Sequence, residues 1–82
     1  KNSHPENPEV WFQLAEIRGL AGNIPGVHKA RAEYFILIGV FSQARDQLLY
    51  ARKLLLHDYK QKLIIDQKLK NLDKLEKDMK SL

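Results

Sequence analysis

The chain contains no cysteine, so disulfides, thiolate nucleophiles and Cys-ligated metals are excluded. Its three histidines, His4, His28 and His57, are scattered and form no His-Glu-x-x-His motif. A zinc site needs three or four converging ligands, so no metal and no cofactor is expected in this chain. Neither a Gly-rich phosphate loop nor a plausible Ser–His–Asp arrangement occurs, and no catalytic residue is assigned. No apolar run approaches the roughly 20 residues that span a bilayer. A concentrated basic face is missing too. The net charge of +4 divides evenly, residues 1–56 and residues 57–82 each carrying seven basic and five acidic side chains. That distribution argues against a nucleic-acid partner. Position 1 is not Met and no signal-like segment is present, so the chain is expected to be a fragment of a longer protein.

What is present is helical. Eighty-two residues, 44% hydrophobic and 29% charged, suit a single domain with a small core. Asn7-Pro8-Glu9 marks a helix start: Asn caps free N–H groups, Pro fits the first turn, and Glu favours the positive end of the dipole. Gly22-Asn23 and Gly39 mark helix ends, because both residue types tolerate left-handed backbone. Helices are expected over about 8–21, 24–38, 41–55 and 58–80, with Ser42 as a candidate cap for the third. In the last helix Tyr59, Leu63, Ile65, Leu69, Leu72, Leu75, Met79 and Leu82 are assigned to one apolar stripe. Its Leu63–Leu69–Leu72 segment is expected to pack on the third helix, with the end beyond Leu75 protruding. The other face is read as solvated, with acid–base pairs four residues apart such as Asp66–Lys70, Asp73–Lys77 and Glu76–Lys80.

The chain also echoes itself. A shift of 17 residues lays Ala15-Glu16 on Ala32-Glu33, Leu20 on Leu37, Gly22 on Gly39 and Ile24 on Phe41. Each unit is one helix and a short Gly-containing turn, and two units make a 34-residue period. Antiparallel helical hairpins follow, with Ala at close approaches and larger residues in the gaps. Helix 2 then needs two buried stripes, Val27–Ala30–Tyr34–Ile38 and His28–Ala32–Phe35.

Residues 11–22 resemble the first helix of a tetratricopeptide repeat, with Trp11, Leu14 and Ala15 at its large, large and small positions. Gly39, Phe41, Ala44, Leu48 and Ala51 resemble a second helix. Arg18 and Arg31 depart from the pattern, where an aromatic and a large apolar residue are usual. The resemblance implies an all-α, right-handed stack of about four helices with a long C-terminal helix. His4 through Ala15, Arg31-Ala32-Glu33-Tyr34-Phe35, Gly39 through Leu48, Ala51-Arg52 and the terminal Ile-Asp-x-Lys-Leu helix together are similar to one family. This is the C-terminal repeat region of bacterial periplasmic zinc metalloproteases of the β-barrel assembly-enhancing type. That resemblance implies a non-catalytic, periplasmic protein–protein interaction domain. It would contact its own protease domain and outer-membrane assembly partners or substrates, with zinc confined to the protease domain.

Trp11 at its repeat position is read as a gap-filling side chain. Phe12 and Glu16 share a different stripe of helix 1, and the 17-residue shift lays them on Lys29 and Glu33, with Ile36 three residues on. Phe12, Glu16, Lys29, Glu33 and Ile36 are therefore the candidate partner-binding patch, apolar at two positions and charged at three. The alternative is a self-associating module, a homodimer through Leu69, Leu72, Leu75 and Met79 of the last helix. A generic adaptor is the weaker third reading, because the basic carboxylate clamp of co-chaperone adaptors is absent.

Overall fold

The computed structural model describes residues 6–80. The candidate residues His4 and Leu82 and the start of the His4–Ala15 motif lie outside them. Four helices and no strand make up the described chain: α1 (Pro8–Leu20), α2 (Ile24–Leu37), α3 (Phe41–Leu54) and α4 (Tyr59–Lys80). The protein is an all-α stack of helical hairpins in which consecutive helices pack side by side.

Helix ends follow from local chemistry. Asn7 Oδ1 accepts the Glu9 N–H at 3.0 Å and Pro8 occupies the first turn of α1. Asn23 does the same for α2, accepting from Gly26 N at 3.0 Å. It therefore starts a helix as well as following the end of one. Asp58 Oδ1 accepts the Gln61 N–H at the head of α4. Ser42 does not cap α3. The cap position is Val40, without a side-chain bond, and Ser42 sits inside the first turn.

The 17-residue echo is reproduced in the backbone. After α1, Asn23 N donates to Arg18 O and Gly22 N to Gly19 O, with Gly22 at φ +79°. After α2, Val40 N donates to Phe35 O and Gly39 N to Ile36 O, with Gly39 at φ +78°. These are two copies of one left-handed helix ending, and each needs a residue without a Cβ. The third connection has no glycine, and among the described residues only Gly22 and Gly39 have positive φ.

α2 is the shared element. On one side Val27 and Ala30 pack with Ala15, Trp11 and Leu14 of α1. On the other, Ala32 joins Ala44, Leu48 and Ala51 of α3 and Ile65 and Leu72 of α4. Ala30 and Ala32 are both fully buried, and their small size lets the axes approach from two directions. Ile38, expected in the first stripe, lies beyond the last turn of α2 and is exposed. His28 faces α3: its Nδ1 lies 2.7 Å from Gln47 Oε1 and its ring 5.3 Å from that of Tyr50. Trp11 is half-buried against Ala15, Val27 and Ala30, which agrees with a gap-filling role.

α4 differs from expectation in two respects. Its buried stripe runs through Ile65 and Leu72, with Leu69 partly buried, while Leu63 and Tyr59 are exposed. Leu63 stands two residues from Ile65, about 200° around the helix, and cannot share its face. Leu75 and Met79 do stand exposed beyond the packed segment. The four-residue seam proposed for a dimer is thereby halved, because Leu72 and Leu69 are spent inside the chain.

The second difference is electrostatic. Three of the α4 acids assigned to pairs within the helix reach other helices. Arg45 of α3 donates to Asp73 at 2.8 Å and to Glu76, and Arg52 donates to Asp66 at 2.6 Å. Lys68 meets Glu33 of α2 at 2.7 Å, and Lys29 Nζ reaches Gln61 Oε1 at 2.9 Å. The hydrogen bonds that Arg45 donates to Glu76 and Asp73 raise its pKa above the ordinary value, in a group that is charged at any working pH without them. Such half-exposed pairs each contribute about 0.2–1 kcal/mol, and they choose a docking register more than they hold it.

A candidate interaction groove between α1 and α2

The five residues assigned to one patch are divided between two faces. Phe12 and Glu16 line a groove of about 310 Å³ between α1 and α2. Lys29 and Glu33 lie on the flank of α2 that faces α4, where Lys29 bonds Gln61 and Glu33 bonds Lys68. Ile36 packs against the core under α4. The correction has a simple geometric cause. On α2, Lys29 and Arg31 are two residues apart and so roughly opposite. Arg31 lines the groove; Lys29 does not.

The groove is built from short side chains at its base and aromatic ones on its walls. Ala15 and Gly19 of α1 leave room, and Val27 closes the base from α2. A Cβ at Gly19 would stand 3.6 Å from Val27 Cγ2, so the helices are in ordinary contact there. Phe12 and Tyr34 approach across the groove with ring centroids 5.8 Å apart, and Tyr34 meets Phe35 edge-on at 5.4 Å. Aromatic pairs of this kind are worth about 0.5–1.5 kcal/mol beyond burial and hold the walls in place. Phe12 keeps nearly half its surface exposed.

The hairpin that carries the groove is clasped at its turn. Arg18 Nη1 donates to Gly26 O at 3.2 Å. A Cβ on Gly26 would fall 2.8 Å from Arg18 Cδ and 2.4 Å from the capping Asn23 amide, so the position requires glycine.

Two charges flank the opening. Glu16 and Arg31 are exposed, and among the described residues neither has a hydrogen-bond or ion-pair partner. Sequence reasoning missed Arg31, Tyr34 and Phe35 as wall residues, although the departure of Arg31 from the repeat pattern was itself a signal. The groove offers apolar contact and two opposite charges. Among the described residues no group of three or more His, Asp or Glu side chains could hold a metal ion. No helix among them is long and apolar enough to cross a membrane. No family model, curated protein or solved structure matches the chain.

Proposed function

We propose that this chain is a non-catalytic protein–protein interaction module of the tetratricopeptide type. In this reading it serves a periplasmic zinc metalloprotease of the β-barrel assembly-enhancing kind, contacting the protease domain and outer-membrane assembly partners or substrates. The observation that supports an interaction role is the open groove, with apolar walls and an unpaired charge on each helix. A helical stack spends its sequence on packing, so an apolar recess with free charges at its mouth is the part left for recognition. The protease assignment rests on the sequence resemblance alone.

The experiment is to mix this chain with the catalytic domain of a zinc metalloprotease of that kind. Complex formation is followed by sedimentation and peptidase activity by hydrolysis of an unfolded protein. The expected result is a complex that weakens with Phe12→Ser, a half-exposed position whose loss leaves the buried clusters intact. A folded Phe12→Ser variant that binds at full strength would remove the groove from the interface, and a protease domain that forms no complex with this chain would remove the protease. Self-association is the second reading, supported by the exposed Leu75 and Met79 at the end of α4. It predicts a concentration-dependent mass that Met79→Lys abolishes.

A further inference from the structure

Deepening the interaction reading, the 17-residue echo identifies what the α1–α2 groove is shaped to hold. On the α1 wall, the shift carries Phe12, Ala15, Glu16 and Gly19 onto Lys29, Ala32, Glu33 and Ile36. On the α2 wall it carries Val27, Arg31, Tyr34 and Phe35 onto Ala44, Leu48, Ala51 and Arg52. Those shifted positions are the seat of α4. Ala32, Ala44, Leu48 and Ala51 are buried in one cluster with Ile65 and Leu72, and Ile36 packs against it. Lys29 bonds Gln61, Glu33 bonds Lys68, and Arg52 bonds Asp66. Thus the open α1–α2 groove and the filled α2–α3 groove occupy equivalent positions one helix apart, with the same alanine and glutamate on the first wall. The chain carries the occupant of the second groove, and among the described residues nothing fills the first.

The filled groove states the rules of recognition. Contacts with α2 ascend together, Lys29 with Gln61 and Glu33 with Lys68, so α4 runs parallel to α2. Contacts with α3 run oppositely, Arg52 with Asp66 and Arg45 with Asp73, so it is antiparallel to α3. Ile65 and Leu72 enter the groove seven residues apart, with Lys68 between them turned to Glu33. In the open groove Glu16 stands where Glu33 stands, unpaired, and Arg31 adds a cation to the opposite wall.

We propose that the α1–α2 groove takes an amphipathic helix of a partner protein, running parallel to α1 and antiparallel to α2. The partner helix carries branched apolar residues seven apart, a lysine between them that meets Glu16, and a carboxylate on the far flank that meets Arg31. The lysine completes for Glu16 the pair that Lys68 makes with Glu33, and the carboxylate neutralises the one groove cation that has no counterpart in the filled groove. The aromatic walls suit the partner's apolar side chains as Leu48 and Ala51 suit Ile65 and Leu72.

This inference rests on the interaction reading, and its test is separable from that of the protease assignment. The probe is a labelled peptide of residues 59–80, the one helix of this chemistry already known to fit an equivalent seat. It is titrated into the intact 82-residue chain by fluorescence anisotropy, with amide chemical shifts mapping the site. The expected result is saturable binding with shifts on the facing sides of α1 and α2. Glu16→Lys weakens it about fivefold or more, and a Lys68→Glu peptide restores the loss, as charge reversal across one ion pair requires. Both groove charges are exposed and unpaired, so their substitution leaves the fold intact, which circular dichroism verifies. Binding that ignores Glu16→Lys and Arg31→Glu but disappears with Glu33→Lys would mean that the peptide replaces α4 in its own seat, and overturns the proposal. Absence of binding at millimolar peptide also overturns it. Either failure leaves a complex with the protease domain to stand or fall on the Phe12→Ser result.

Discussion

The two grooves of this small protein are built on one plan and finished differently. Between α2 and α3 the buried wall residues are Ala32, Ala44, Leu48 and Ala51, and a helix of the same chain fills the space. Between α1 and α2 the walls carry Phe12, Tyr34 and Phe35, and the space is open. Glu33 is engaged by Lys68, whereas its equivalent Glu16 has no partner among the described residues. Repetition of a backbone unit therefore does not repeat its role. One copy holds the domain together, and the other is free to bind something else.

The comparison breaks most readily at its equivalent positions Leu48 and Arg31. Leu48→Ala empties a fully buried site and is expected to cost about 3–4 kcal/mol in urea unfolding. Arg31→Leu, which copies that leucine into the open groove, should change stability by less than about 0.5 kcal/mol. Equal effects would show that the α1–α2 groove is closed in solution. Ile65→Ala tests the occupant of the filled groove, with an expected loss of about 2–3 kcal/mol. Hydrogen exchange should quicken throughout α4 while α1 keeps its protection. If α1 and α4 loosen together, the two grooves are not separate structures.

Gly22→Ala and Gly39→Ala each place a Cβ on left-handed backbone and should cost about 1–2 kcal/mol apiece. Their near equality is the quantity to measure, because a large difference would mean that the two turns are not equivalent. Finally, Glu33→Gln should lose a few tenths of a kcal/mol at low salt, an effect that half-molar NaCl erases, while Glu16→Gln changes nothing measurable. A Glu16→Gln cost as large as that of Glu33→Gln would reveal a partner for Glu16 within the chain.

The parts of the fold legible in the sequence were those decided within a few residues. Asn7-Pro8-Glu9, Gly22 and Gly39 act through their own backbone and caps, so their meaning does not depend on distant neighbours. The face of α4 was not legible, because Leu63, Ile64, Ile65, Leu69, Leu72 and Leu75 surround much of the helix. Which of them is buried depends on where α2 and α3 lie, and that is information about other helices. The ion pairs were missed for the same reason: Asp66 has Lys70 within reach in sequence, but the structure supplies Arg52.

The candidate site was half legible, and the failure is instructive. Phe12 and Glu16 were placed with Lys29, Glu33 and Ile36 because a 17-residue shift relates them. The shift does relate them, but advancing by one helix reverses the chain direction. Equivalent residues therefore line successive grooves and do not meet in one. Arg31, Tyr34 and Phe35 complete the first groove because they lie on the opposite side of α2 from Lys29 and Glu33.

The order of packing has a kinetic consequence. The extensive backbone contacts join α1 to α2, α2 to α3 and α3 to α4, each helix meeting its successor across a turn of a few residues. Closing such short loops sacrifices little chain entropy, and topologies of low contact order reach the native state in microseconds to milliseconds. Two of the three turns form from local hydrogen bonds around a single glycine, so the hairpins can begin independently at either turn. The chain can thus complete its stack within the time that a partner needs to diffuse to it, and recognition meets a finished surface.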